Sequence, residues 1–248
     1  SYKMNLKKKI IFCKISFFQL NYHHIKKKIE KGGLLVIPSG PGLATIETDK
    51  NYCNALQNSD IALLDSGYFC LLLNLIRFIS VKKFSGYKFI TCFLNDKSIT
   101  RKKILFVEPN KTSILKNKEL LKNLKFINTH HYLSPIYNKD NIKDLKLNNL
   151  IKKLKPNYVV INLGGNVQEV LGYYLKKKLN NKVPIICSGA AIAFLNKTQA
   201  PISNFYDRIY LGWLIRIIFK PNIFFIRYFK AFKLFFLVLK NKVIVKKI

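Results

Sequence analysis

Short apolar runs alternate along this chain with longer segments of helical periodicity, and this alternation limits the available folds more than any other feature. The runs are rich in β-branched side chains, which is typical of buried strands. Eight runs fit this description, at residues 9–15, 34–37, 61–64, 88–93, 104–107, 125–128, 158–162 and 184–187. Because helical patterns lie between most of them, we expect parallel strands joined by helical crossovers.

The helical segments have recognisable ends. The predicted helices occupy residues 45–57, 68–79, 113–123 and 141–154. Ser113 is placed as an N-cap, and the dipeptide Lys155-Pro156 ends the fourth helix. Apolar side chains recur on one face of a further helix, at Val167, Val170, Leu171 and Tyr174. We therefore predict an α/β fold with a Rossmann-like, mostly parallel sheet flanked by helices.

The charge of the chain is extreme, with 44 Lys and Arg against 12 Asp and Glu, a net charge of +32. A basic surface attracts nucleic acid, anionic lipid or phosphorylated substrates. The alternative is compositional, since Lys, Asn, Ile, Phe and Tyr are all residues that AT-rich codons encode. Only clusters of cations therefore carry information. The chain has no RNP-like aromatic strand, zinc knuckle or recognition helix, so we expect no nucleic-acid partner.

The composition changes near residue 200. Residues 207–248 contain one acid, Asp207, and ten Lys or Arg. A narrow aromatic stripe follows helical spacing, at Phe225, Phe229, Phe232 and Phe236. Such a basic helix can lie in a membrane interface, or it can pack its stripe against the domain core. We predict an α/β domain over 1–200 and a basic helical, membrane-associating appendage over 201–248.

Neither the cysteines nor the histidines form a recognisable metal motif. The five cysteines lie in or beside apolar runs without C-x-x-C spacing, and are interpreted as buried thiols in a reducing compartment. The histidines form two adjacent pairs, whose members point to opposite faces of a strand. We expect no metal site. No apolar stretch reaches the ~18–20 residues that a transmembrane helix needs.

Glycines and small polar residues follow four of the predicted strands. Ligands of an open parallel sheet bind beyond the carboxyl ends of its strands. The four turns contain Ser39 to Gly42, Asp65 to Gly67, Gly164 to Asn166, and Ser188 to Ala191. Helices that start in such turns can present free N–H groups to a phosphate. Each turn is also explained by chain reversal alone, but four at one edge favour a ligand site formed by Ser39, Gly164, Gly165, Ser188, Gly189 and Ala190.

Two of the scarce acids, Asp65 and Glu169, fall at the same predicted edge. A partly buried carboxylate at a strand end is a candidate general base. The alternative for Asp65 is an N-cap of the following helix, and the alternative for Glu169 is first-turn complementarity to the helix dipole. From the chemistry alone, Asp65 is the better candidate for the base.

Several motifs resemble the WecG/TagA/CpsF glycosyltransferases, glycosyltransferase family 26, over about residues 10–235. The residues 186–195, Ile-Cys-Ser-Gly-Ala-Ala-Ile-Ala-Phe-Leu, are similar to the family's glycine/alanine turn and Phe-Leu. The residues 167–169, Val-Gln-Glu, resemble its Lys-Gln-Glu, and the residues 60–65 resemble the segment that carries its aspartate. Further matches are Ala200-Pro201, Trp213, Arg216, Pro221 and Arg227-Tyr228.

This resemblance implies an inverting transfer of an N-acetylmannosamine-type sugar from UDP to an undecaprenyl-diphosphate-linked acceptor, without metal or cofactor. It implies that Asp65 is the base and that Gln168 and Glu169 hold sugar or ribose hydroxyls. The C-terminal appendage would contact an anionic membrane at the cytoplasmic face. It would bring cations to the diphosphate, namely Arg208, Arg216 and Arg227.

The chain also departs from the family pattern. Ile37 and Ser39 stand where the family has Thr-x-Asn, and Ser66 replaces a glycine. Asn166 replaces a proline, and Leu171 replaces a tryptophan. The resemblance is therefore to a divergent branch, with the donor sugar and the oligomeric state left open. The alternative functions are a non-catalytic basic protein that binds anionic lipid or nucleic acid, and a Rossmann dehydrogenase. The dehydrogenase alternative is weakened because this chain has no G-x-G-x-x-G motif after its first predicted strand.

Overall fold

A computed structural model describes residues 7–138, 141–189, 191–196, 229 and 231–248. These residues form one mixed sheet of nine strands in the order β6-β5-β7-β8-β3-β4-β2-β1-β9. The strands are β1 Lys8–Phe12, β2 Ile15–Gln19, β3 Gly33–Val36, β4 Ile61–Ala62, β5 Ile104–Glu108, β6 Thr129–Leu133, β7 Tyr158–Ile161, β8 Pro184–Cys187 and β9 Val243–Lys247. All neighbours from β6 to β2 are parallel, whereas β1 pairs antiparallel with β2 and with β9.

Helices cover both faces of the sheet. They are α1 Tyr22–Ile29, α2 Gly40–Leu43, α3 Lys50–Gln57, α4 Gly67–Leu75, α5 Gly86–Asn95, α6 Lys111–Asn123, α7 Leu145–Leu154, α8 Val167–Lys178, α9 Ala191–Leu195 and α10 Lys233–Lys240. Every residue of β3, β5, β7 and β8 is buried, as expected for parallel strands between two helical layers. Successive residues face opposite sides: Leu34 and Val36 join one apolar cluster, Leu35 and Ile37 the other. The predicted α/β class is confirmed.

Three predicted strands differ from the structure. Residues 88–93 lie in α5, so the prediction of a strand there is wrong; Phe89 and Phe93 are both buried on one helical face. Residues 9–15 form a hairpin, because Cys13 and Lys14 adopt positive φ and turn the chain between β1 and β2. The strand predicted at 125–128 begins at Thr129 instead.

Several helices begin at different residues from those predicted. The helix predicted at 45–57 is two helices, α2 and α3. Helix α6 begins after Asn110, whose side chain accepts the Ser113 N–H at 2.8 Å, so the predicted cap at Ser113 is wrong. Helix α7 begins after Asp144, which accepts the Leu147 N–H. All five cysteines are free thiols, with Cys70 and Cys187 buried and the other three partly buried.

The end of the C-terminal segment joins the sheet. Strand β9 pairs with β1, with Val245 opposite Ile10, and α10 packs against α4 and α2. The boundary predicted at residue 200 and most of the predicted appendage lie outside the described residues. None of the described helices is long and apolar enough to cross a bilayer.

Helix α10 shows what the end of the aromatic stripe contacts. Its buried side chains are Leu234, Leu237 and Val238, and these pack against the core. Phe229, Phe232 and Phe236 are 74%, 56% and 59% exposed. The alternative in which the stripe packs on the core is therefore wrong for these three residues, and Phe225 lies outside the described residues.

Candidate functional site

The four strands that precede the predicted site turns are neighbours in the sheet, in the order β7-β8-β3-β4. They run parallel, so their carboxyl ends share one edge. At about 4.8 Å between strands, the four ends span about 14 Å, the length of a small ligand. The predicted convergence of the four turns on one edge is confirmed by this topology.

Asp65 is half-buried just beyond β4. Its Oδ1 accepts the backbone N–H of Gly86, the first residue of α5, at 2.8 Å. The N-cap of the following helix α4 is Ser66, whose Oγ accepts the Phe69 N–H at 3.1 Å. The alternative in which Asp65 caps α4 is therefore wrong. Asp65 instead holds the start of α5 with one oxygen.

The turns after β3 and β4 pack closely together. Ser39 caps α2, with its Oγ accepting the Gly42 N–H at 3.3 Å. A Cβ on Gly40 would lie 2.7 Å from the Ser66 hydroxyl, and a Cβ on Gly42 would lie 2.6 Å from the Tyr52 hydroxyl. These two glycines are therefore explained by close packing, and the ligand contact predicted for Ser39 stays a prediction.

The turn between β7 and α8 has the space that the other turns lack. Gly164 and Gly165 are exposed, and a Cβ on either would meet nothing within 4 Å. Asn166 has a φ of +71° and caps no N–H with its side chain. Its Nδ2 donates instead to Thr45 Oγ1 at 3.2 Å and to Asp49 Oδ2 at 3.1 Å. These bonds fix the turn in place and leave an open surface above the two glycines.

Gln168 and Glu169 form a buried network with the turn after β8. Gln168 Oε1 accepts the Gly189 N–H at 2.7 Å, and its Nε2 donates to Glu169 Oε1 at 3.0 Å. The Glu169 side chain is 1% exposed, and burial raises the pKa of its carboxyl to about 7 despite the N–H groups that favour its charged form. Both residues hold the turn, and their predicted binding of substrate hydroxyls stays a prediction.

The turn after β8 does not offer the free N–H groups that we predicted. The N–H of Ser188 donates to the Ile161 carbonyl, and that of Gly189 donates to Gln168. The N–H of Ala191 donates back to the Ser188 carbonyl at 3.2 Å. The prediction of a phosphate site built from these three N–H groups is therefore wrong, and Ala190 lies outside the described residues.

Sequence reasoning missed a row of polar side chains on one face of this edge. Asn162 follows β7 and accepts the Ser188 hydroxyl through its Oδ1. Glu108 ends β5 beside it, since Val107 pairs with Ile161 one position earlier. Asn162 Nδ2 and Glu108 Oε2 are both buried without a hydrogen-bond partner among the described residues. The sequence does contain a signal for both residues, since Glu108 is the last residue of an otherwise apolar strand and Asn162 directly follows another apolar strand.

The buried row continues into β6. Glu108 Oε1 accepts Asn117 Nδ2 at 2.8 Å and lies 3.5 Å from His131 Nδ1. The His131 ring stacks on Phe106, with centroids 5.5 Å apart. Over the described residues, no group of three His, Cys, Asp or Glu side chains has an arrangement that could hold a metal ion.

The cations assigned to the site lie outside the described residues, namely Arg208, Arg216 and Arg227. The site that the structure describes therefore consists of Asp65 at one end, the open Gly164-Gly165 turn at the other, and the buried network of Gln168 and Glu169 between them.

Comparison with known protein families identifies the family of this chain. The sequence model of the family described as "Glycosyl transferase WecG/TagA/CpsF family" matches residues 11–247. The match extends from β1 to β9, so it includes every turn of the candidate site. No curated protein matches the chain at a significant level.

Proposed function

Because the chain belongs to the WecG/TagA/CpsF glycosyltransferase family, we propose that it transfers an N-acetylmannosamine-type sugar, with inversion, from a UDP-sugar to an undecaprenyl-diphosphate-linked acceptor. Membership in the family makes the chain a glycosyltransferase of cell-surface polysaccharide synthesis that uses a nucleotide-sugar donor and a lipid-linked acceptor. The observation that supports the proposed transfer is the position of Asp65 at the same sheet edge as the open Gly164-Gly165 turn.

The proposed reaction is a single displacement. Asp65 takes the proton of an acceptor hydroxyl, and the oxygen of that hydroxyl attacks the anomeric carbon of the donor. The bond from this carbon to the UDP oxygen breaks, and UDP leaves with the electron pair. Asp65 is suited to this role because its Oδ1 is fixed by the Gly86 N–H, which orients the carboxylate.

The negative charge that develops on UDP needs a partner. The backbone N–H groups of Ser188, Gly189 and Ala191 are engaged within the chain, so we assign this role to cationic side chains. Arg208, Arg216 and Arg227 are the proposed ligands of the diphosphate, since a guanidinium can bind two phosphate oxygens at once. A well-placed donor to the leaving group lowers the barrier by about 3 kcal/mol.

We further propose that the enzyme works as a peripheral protein at the inner face of the membrane. Helix α10 supports this, because Phe232 at its N-cap and Phe236 within it are exposed while Lys233 and Lys240 lie on the same helix. Exposed aromatic side chains with cations beside them bind an anionic bilayer surface through both apolar burial and charge. A lipid-linked acceptor would then meet the site from the bilayer.

The test of the proposed function is UDP release. The full chain is incubated with single UDP-sugars and a short-chain lipid-diphosphate acceptor. We expect release with a UDP-N-acetylhexosamine only when the acceptor is present, and a glycosylated lipid as the second product. The D65N protein is the control for contaminating activity. If the chain binds anionic lipid or nucleic acid in a salt-sensitive way but releases no UDP with any donor, the non-catalytic alternative replaces this proposal.

A further inference from the structure

The tip of α4 carries an aromatic side chain in an unusual position. Phe78 lies three residues beyond the helix, has a φ of +52° and is 90% exposed. The Ile79 N–H next to it donates to the Leu73 carbonyl at 3.0 Å, which closes the helix end. The left-handed conformation after a helix is usually taken by glycine, because a bulky side chain is unfavourable there. Neither folding nor burial therefore accounts for a phenylalanine at this position.

A second apolar side chain lies on the same tip. Leu75 is the last residue of α4 and is 70% exposed. Single exposed apolar residues are ordinary, but two large ones within four positions at a helix end form a protrusion. The protrusion is short and apolar, and it contains no charged residue other than Arg77.

Arg77 turns inward and fixes this tip to α10. Its guanidinium donates to the carbonyl oxygens of Val238, Leu239 and Asn241, with Nε at 2.9 Å from the first and Nη2 at 2.8 Å from the other two. These carbonyls end α10, where a cation also complements the helix dipole. The tip of α4 is therefore held against the C-terminal end of α10, the helix that carries the exposed Phe236.

The charges on and around α4 and α10 indicate what kind of partner this surface binds. Residues 66–95 and 229–248 contain no Asp or Glu. Lys82, Lys233, Lys240 and Lys242 are exposed on these segments. Glu47 Oε1 lies 3.9 Å from Lys240 Nζ, so this surface has one acid beside its four lysines. A surface with apolar tips and an excess of cations is complementary to an anionic bilayer, where the tips enter the interface and the lysines remain at the headgroups.

We propose that Phe78 and Leu75 insert into the interface of an anionic bilayer beside α10, so that membrane contact is not confined to the C-terminal segment. This inference rests on the proposed peripheral attachment. Helix α4 starts two residues after Asp65, and its nine residues span about 14 Å at 1.5 Å per residue. Insertion of the tip would therefore set the height of Asp65 above the membrane, where the sugar of a lipid-linked acceptor must reach it.

The test uses the substitution Phe78→Gly in the full chain. Glycine favours a positive φ, so the variant should unfold at the same temperature as the wild type or higher. We expect flotation with vesicles of anionic and zwitterionic lipid to show binding weaker by about tenfold, because one aromatic side chain no longer enters the interface. UDP release with a water-soluble acceptor should stay unchanged.

Two further variants make the result specific. Leu115→Ser removes from α6 an apolar side chain that is 68% exposed, close to the 70% of Leu75, and it should leave vesicle binding unchanged. Phe78→Trp, made together with Trp213→Phe so that residue 78 is the one tryptophan of the sequence, should show a blue shift in emission on adding vesicles, and quenching by lipids brominated on the acyl chain. Equal vesicle binding by the wild type and F78G, or no quenching of F78W, would overturn the inference alone. A wild type that binds no vesicle would overturn it together with the peripheral attachment, while UDP release would still test the transferase chemistry.

Discussion

Asp65 Oδ1 accepts the N–H of Gly86 at 2.8 Å, and this bond joins the end of β4 to the first turn of α5. A Cβ on Gly86 would lie 3.1 Å from Ile37, so the backbone of α5 approaches the ends of β3 and β4 closely. Asp65 thus has a structural role in addition to the proposed chemical one. A test of the base must remove the proton acceptor without removing this hydrogen bond.

The substitution Asp65→Asn meets that condition, because its amide oxygen can still accept the Gly86 N–H. We expect turnover to fall by about 100-fold or more, within the range for loss of a general base, while binding of the UDP-sugar barely changes. Turnover is measured by UDP release and donor binding by calorimetry. Asp65→Ala should in addition lower the melting temperature. Near wild-type turnover in D65N would remove Asp65 from the mechanism.

The strand order and the edge site follow from local patterns only in part. The run 184–187 matches β8 residue for residue, because Pro184 and the small residues after Cys187 mark both of its ends. The run 88–93 is equally apolar, but it packs around Phe89 and Phe93 as a buried helix. Short apolar runs of strand and of buried helix have the same composition, and only the packing partners distinguish them.

The residues of the candidate site, like the strands, could be predicted only where the signal is local in sequence. Asp65 was found from its position after a strand, which is a local signal. Glu108 and Asn162 are separated by more than 50 positions in sequence, and they become neighbours only because β5 pairs with β7. The engagement of Gly189 with Gln168 likewise depends on the packing of α8 against β8. Contacts between distant segments decide which polar groups are available, and a single sequence does not contain them.

Chelation should leave the activity intact. The proposed partners of the leaving diphosphate are Arg208, Arg216 and Arg227, which supply positive charge without a metal ion. We expect UDP release to continue at the same rate in excess EDTA, measured with enzyme dialysed against chelator. Substitution of Arg216 by alanine should in contrast reduce turnover about 100-fold. Loss of activity in EDTA with rescue by magnesium or manganese would contradict this assignment.

The exposed phenylalanines of α10 should affect membrane binding and not stability. Replacing Phe232 and Phe236 by serine removes exposed aromatic area, so vesicle binding should weaken by about tenfold while the free energy of unfolding changes by about 0.5 kcal/mol or less per site. The matched control is Leu237→Ala on the buried face of the same helix, which should cost about 2–5 kcal/mol. Flotation and thermal melting measure the two effects. A large loss of stability in the double serine variant would place these rings in the protein interior.

Glu169 should make the stability of the protein fall between acid and neutral pH. Burial raises its pKa from 4.5 to about 7, with Asp49 adding to the rise, so the folded state holds a proton that the unfolded state has released. Stability therefore decreases as pH rises from about 4.5 to about 7, and it stays at the lower level above that. The full effect is about 3 kcal/mol.

The substitution Glu169→Gln isolates this effect, because the new side chain is neutral at every pH and its amide oxygen can still accept Gln168 Nε2. Most other titrations are common to both proteins, so they cancel in the difference between the two free energies of unfolding. We expect E169Q to gain stability relative to the wild type between pH 5 and pH 8, measured by urea unfolding at each pH. A difference that stays constant over this range would mean that Glu169 titrates normally and that its buried carboxylate is better solvated than its 1% exposure indicates.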